Sequence, residues 1–323
     1  MSAVALPVTE QIQLHGPAYE WPLWASTIRV VTADSHALPS ARRLIEAELA
    51  HIELVASPFY GDSEASSLPS GRRTRISKAL TALLGAALDF ARETDGGFDP
   101  TLGHPIQAVH EGAPADDRAW LAPGGSGGVE LDEAAQTVLV PRGVQLDLER
   151  MTSAWAVDRC AATVAEVLDV AVLVSLGGHI ATAGPPASGA WEILVGGAGD
   201  HRADSAALVA VPTGLAVATA IRQSGEPFDG AFPPSARPVW RRQNQGNGHA
   251  SSPGIPDPSP WRSATVVAAD CVTAMAWSTA ALAQEARAVE ALEQRGLPAR
   301  LVALDGKVRH VAGWPEDAEM TAT

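Results

Sequence analysis

The chain has two cysteines among 323 residues, Cys160 and Cys271, far apart and each set in an apolar pattern. That argues against a disulfide framework or a paired-cysteine metal site, and two buried free thiols are expected. Positive charge is also scarce: 23 Lys and Arg face 37 Asp and Glu, a formal charge of −14. Such a surface repels a phosphate backbone and offers no basic stripe, so no nucleic acid partner is expected. Small anions stay admissible, because main-chain N–H groups at helix starts and glycine turns bind phosphate without net positive charge. No apolar run is long enough to span a bilayer, and the opening "MSAVALPVTEQIQLHG" lacks the basic segment and long apolar stretch of a signal peptide. No membrane insertion and a cytoplasmic location are expected.

What is present is enough apolar sequence, 46%, for a substantial core. "STIRVVTAD" (residues 26–34) reads as a strand. Ile45, Leu49, Ile52 and Val55 recur at helical spacing, as do Leu80, Leu83, Leu84, Ala87, Leu88 and Ala91 after the N-cap candidate Ser77. A third helix begins near Thr152 or Ser153 and carries Ala156, Cys160, Thr163, Val164 and Val167 on one face. Apolar segments at 171–176, 191–195, 206–211 and 215–219 read as strands joined by short turns, which favours antiparallel pairing. Later come a strand in "SATVVAA", a helix over residues 273–292, and a hairpin turned at Asp305-Gly306. Gly, Pro and polar residues crowd the stretches near 111–128 and 226–261, which read as flexible insertions. The fold class expected is α+β, a largely antiparallel sheet with packed helices, in one domain spanning 1–323.

Few segments carry chemistry. "DGGFDPTLG" (residues 95–103) joins flexible glycines to the carboxylate of Asp99 and the hydroxyl of Thr101; it suits either a nucleotide-binding turn or a plain helix C-cap. In "SLGGHIATAG" the pair Gly177 and Gly178 permits close approach of a ligand, while His179 has no HxH or HExxH partner to make it a metal ligand. Asp158 in "QLDLERMTSAWAVDR" reads as a solvated charge or a partner of Arg159 or another cation. The hydroxyls of "TAMAWSTAAL" read as satisfying helix carbonyls.

Taken in order, these segments resemble the ApbE family, the FAD:protein FMN transferases. "SPFYGDSEASSL" is similar to S-x-Y-x-x-x-S-E, "TDGGFDPTLG" to D-G-x-F-D-P-T-x-G, and "LDLERMTSAWAVDR" to L-D-L-G-G-I-A-K-G-Y-A-V-D. "VSLGGHIATAG" is similar to N-x-G-G-D-I-x-x-x-G, "TAMAWSTAAL" to A-D-A-L-x-T-A, and "LVALDGKVRHVAGW" to the closing hairpin. The resemblance implies an α+β fold that takes FAD as substrate with Mg2+, transfers FMN to a Thr or Ser hydroxyl of an acceptor flavoprotein, and releases AMP. It implies that Phe59 packs on the isoalloxazine in place of a tyrosine, that Asp99, Thr101 and Gly103 form an FAD-binding turn, and that Gly177, Gly178 and His179 lie at the flavin nucleotide. It also implies that the carbonyl of Thr152 and the side chain of Thr279 are metal ligands. It assigns no catalytic group.

The chain departs from the family pattern at several polar positions. Met275 stands where the pattern has a metal-binding Asp, Ser153 where it has Lys, and Glu149 and Arg150 where it has paired glycines. His179 stands where G-G-D has its carboxylate, Pro69 replaces an Asn, and Ser252 replaces the Asp of H-x-x-D-P. Asp270, Asp257 and Glu149 are the nearby acids that could compensate. The alternative to a working transferase is a degenerate relative that binds flavin or a partner protein without turnover.

Overall fold

The computed structural model describes residues 18–24, 26–57, 61–101, 125–185, 190–195, 207–221, 260–284 and 287–314. Phe59, Gly103, Ser252, Asp257 and most of the two glycine- and proline-rich stretches lie outside the described residues. In chain order the elements are β1 (Ala18–Leu23), β2 (Ser26–Thr32), α1 (Leu38–Ala56), β3 (Thr74–Arg75), α2 (Lys78–Glu93), β4 (Glu130–Asp132), β5 (Thr137–Leu139) and α3 (Glu149–Leu168). Then follow β6 (Val172–Leu176), β7 (His179–Ala183), β8 (Trp191–Val195), β9 (Ala207–Val211), β10 (Ala216–Ile221) and β11 (Trp261–Ala268). Helices α4 (Cys271–Gln284) and α5 (Arg287–Arg295) precede the closing strands β12 (Ala299–Ala303) and β13 (Val308–Val311).

Eight strands form the main sheet in the order β1-β2-β6-β7-β10-β11-β12-β13, antiparallel throughout. The α+β expectation holds. Strand β6 is buried at every position because both faces of the sheet are covered. Val172, Val174 and Leu176 join the helices in one core, whereas Leu173, Ile180 and Val217 pack with the β8–β9 ribbon on the other side. Alternation along β7 therefore puts Ile180 on the ribbon side and His179, in register with Ala181, on the helix side. The strands at 191–195 and 206–211 thus leave the main sheet, although the expected antiparallel pairing is kept.

Local signals place several boundaries where the sequence predicts them. Ser77 accepts the N–H of Leu80 at 3.1 Å and starts α2, and Gly306, at φ 88°, turns the β12–β13 hairpin. Helix α3 begins one turn earlier than expected, at Glu149, because Asp147 Oδ1 accepts the Glu149 N–H at 3.1 Å. The segment expected as one helix over 273–292 falls across α4 and α5. Strand β7 was not expected as a strand; Gly177, at φ 57°, supplies the positive φ that a two-residue turn between β6 and β7 requires.

Helix α4 is apolar nearly all round and is buried from Ala274 to Ala283. It packs on β10, β11, α3 and α5. Its start is held by Asp158 of α3, whose carboxylate accepts the N–H groups of Cys271 at 2.8 and 2.9 Å and of Val272 at 3.1 Å. This corrects the expectation of a solvated or Arg159-paired charge. Arg159 instead pairs with Glu48 of α1, while Asp158 serves as an N-cap supplied by another helix. Both cysteines are free and buried, as expected, and burial pushes the Cys160 thiol up.

Loss of hydration raises the Asp158 pKa from 3.8 to about 7, with the two amide donors pulling it back and Asp270 adding to the rise. The folded state therefore holds this proton where the unfolded chain has released it, so stability falls as pH rises between those values. Asp158→Ala should lower stability by about 1–2 kcal/mol at neutral pH through the lost cap. In thermal unfolding from pH 4 to 8, wild type should lose stability relative to Asp158→Asn as pH climbs to about 7 and run parallel above it; parallel curves throughout would refute the assignment.

Candidate functional site

The first turn of α3 is where the motif segments meet. From α1, the carbonyl of Ala56 accepts the hydroxyl of Thr152 at 3.2 Å, which brings the start of "SPFYGDSEASSL" to this turn. That segment folds back on itself: Ser63 Oγ and Ser66 Oγ both donate to the Ser57 carbonyl, at 2.9 and 3.2 Å. From the turn after α2, the carbonyl of Pro100 accepts the N–H of Asp147 at 2.7 Å.

The turn after α2 is a helix C-cap, the plainer of the two readings of "DGGFDPTLG", and it is also aimed at this place. Asp95, at φ 48°, and Gly96, at φ 75°, reverse the chain, and Gly96 N–H returns to the Ala91 carbonyl at 2.9 Å. A Cβ on Gly97 would sit 2.9 Å from the Ala280 Cβ, so glycine is what lets the turn lie on α4. Gln284 of α4 donates to the Thr94 carbonyl and secures the same contact. Asp99 and Thr101 are both buried. The Asp99 carboxylate accepts the Thr101 N–H at 2.9 Å and its hydroxyl at 2.6 Å, which sets the shape of the turn.

On α4, Met275 is fully buried and the Thr279 hydroxyl points to its sulfur, at 3.8 Å. The Ser278 hydroxyl donates to the Met275 carbonyl at 3.0 Å, as helix hydroxyls commonly do. Thr152 and Thr279 thus lie on packed helices, but the donors they bring are a main-chain carbonyl and a hydroxyl beside a thioether. A hard cation such as Mg2+ requires several oxygen ligands with negative charge among them. Among the described residues no group of three or more His, Cys, Asp or Glu could hold a metal ion. The residues described do not fit Mg2+.

The β6–β7 turn approaches α3 from the sheet. The Gly178 carbonyl accepts the Thr219 N–H at 2.9 Å, so this part of the turn is committed to β10, while Gly177 remains partly exposed. His179 is 2% exposed, with Nδ1 3.3 Å from the Leu176 carbonyl. The residue lines a small cavity with Glu149, Arg150 and Ser153 of α3, and with Trp24, Ser26, Leu176 and Gly177. Positions 149, 150, 153 and 179 therefore share one wall. Sequence reading noted each position separately and carried no signal that they meet.

Burial lowers the His179 pKa from 6.5 to about 3, the positive charge of Arg150 pushes it further down, and the Leu176 carbonyl opposes both. The folded protein keeps this ring neutral where the unfolded chain takes up a proton, so stability is lost as pH falls from 6.5 toward 3. His179→Gln should lose less stability than wild type between pH 6.5 and 4, read as the difference in urea midpoint. Equal losses would show that the ring is charged or solvated in the folded state.

Comparison with known proteins agrees with the fold. Residues 24–304 match the ApbE family. The flavin transferase ApbE from Vibrio cholerae superposes with a TM-score of 0.71 at 19% identity, over 94% of this chain and 99% of that one. The apo form of the Pseudomonas stutzeri flavinyl transferase ApbE gives 0.70 at 20% identity, over 94% and 95%. The ApbE protein from Thermotoga maritima gives 0.70 at 21% identity, over 91% and 97%. No curated protein gives a significant match. At these identities the solved structures establish the shared fold, and the family match spans most of the chain. The chain belongs to the ApbE family.

Proposed function

We propose that this protein is a flavin transferase: it takes FAD, passes FMN to a threonine or serine hydroxyl of an acceptor protein, and releases AMP. The observation that carries this is the convergence on the first turn of α3, where Ala56, Pro100 and the cavity beside Gly177 and His179 bring separate motif segments to one place. Relatives that share the fold are named as flavin transferases.

The reaction is attack of a hydroxyl oxygen on the FMN phosphorus of the pyrophosphate. A new P–O bond to the acceptor forms, the bond to the AMP oxygen breaks, and the hydroxyl proton leaves. Positioning and charge neutralisation carry most of such a rate. The parts of this chain suited to positioning are the turn shaped by Asp99 and Thr101 and the glycine turn at 177–178. Charge neutralisation by a metal finds no support in Met275, Thr279 and Thr152. That contact between Met275 and Thr279 favours a second reading, a family member that binds flavin without turnover.

Purified protein with FAD, Mg2+ and an acceptor flavoprotein domain should yield AMP and covalently flavinylated acceptor in equal amounts. Tight FAD binding without either product across a range of metals would leave only the second reading. Met275→Asp should raise Mg2+ affinity and AMP release by about tenfold or more, since a carboxylate would replace a thioether beside Thr279. No change in either quantity would show that positions 275 and 279 do not form the metal site.

A further inference from the structure

His179 is the one position of the glycine-turn motif whose chemistry the proposed transfer reaction does not use. The Leu176 carbonyl facing Nδ1 can only accept, so Nδ1 carries the ring proton and Nε2 carries a lone pair. Nε2 is buried and, among the described residues, has no hydrogen-bond partner. His179 lines a cavity with Glu149, Arg150, Ser153 and Gly177. The cavity volume is 10 Å³, room for one polar group the size of water and not for an aromatic ring.

Both charged side chains at the start of α3, Glu149 and Arg150, line the same cavity, with Ser153 one turn on. A neutral imidazole nitrogen with a lone pair accepts from an N–H or O–H donor.

We infer that Nε2 of His179 accepts a hydrogen bond from a neutral donor of the bound flavin nucleotide, an amino N–H or a hydroxyl, at the Gly177–Gly178 turn. The inference rests on the flavin reading above and makes His179 a specificity-determining residue rather than a base.

The test uses the full chain labelled with 15N-histidine, with FAD as ligand and FMN and AMP as its two halves. In free protein the Nε2 resonance should stay at its unprotonated position from pH 5 to 8 and move toward the hydrogen-bonded position on adding FAD. The half that carries the donor should reproduce the shift. His179→Asn keeps a donor for the Leu176 carbonyl and removes the acceptor; it should weaken FAD binding about tenfold, the worth of one neutral hydrogen bond. His179→Gln, whose side chain reaches the Nε2 position, should restore most of the affinity. FAD bound with the Nε2 signal unmoved, or equal affinities for the Asn and Gln variants, overturns the inference and leaves the flavin reading standing. No FAD binding by wild type in a fluorescence titration overturns both.

Discussion

The carboxylate of Asp158 gripping the N–H groups of Cys271 and Val272 is the constraint on which the candidate site depends. Helix α4 is apolar nearly all round, so burial alone gives it no preferred rotation about its axis. A directional polar clamp at its first turn supplies what the hydrophobic effect cannot. It satisfies donors that α4 would otherwise bury, and it places Met275, Thr279 and Ala280 relative to α3. The close approach of Gly97 to Ala280 follows from that placement, because the turn after α2 can lie on α4 only if Ala280 faces it.

The other end of α3 fixes the rest. Its first turn takes the Ala56 carbonyl through Thr152 and, just before the helix, the Pro100 carbonyl through Asp147, while Glu149, Arg150 and Ser153 meet the sheet at His179. One helix thus carries the cap for α4 and the meeting point of three loops. Loops positioned by a rigid element are where binding chemistry is usually found. The covered sheet beneath α3 supplies that rigidity, since β6 and β7 are buried on both faces.

What could be read from sequence follows the range of the interactions involved. Ser77 and the Asp305-Gly306 turn act within a few residues, and both are legible in the letters alone. The one-sided spacing of Ile45, Leu49, Ile52 and Val55 is legible for the same reason, because a single helix face sets it. The role of Asp158 is not, since its partners lie 113 and 114 residues away. Strand β7 was obscured because the two glycines before it and His179 look like loop, whereas the flanking strands dictate pairing once Gly177 turns the chain. The family motifs placed the turn of Asp99 and Thr101 in order along the chain, but only the fold shows Pro100 tied to Asp147.

Two groups of side chains near α3 differ in physical kind. At position 275 a fully buried thioether meets the Thr279 hydroxyl, a contact without charge. At 149, 150, 153 and 179 a glutamate, an arginine, a serine and a neutral imidazole line one cavity. Burying such groups is costly unless they are held in a defined arrangement. The Met275 contact can be stabilised by packing alone, because it belongs to the apolar core. The His179 wall cannot, and its order depends on how α3 and the β6–β7 turn hold those polar groups against one another.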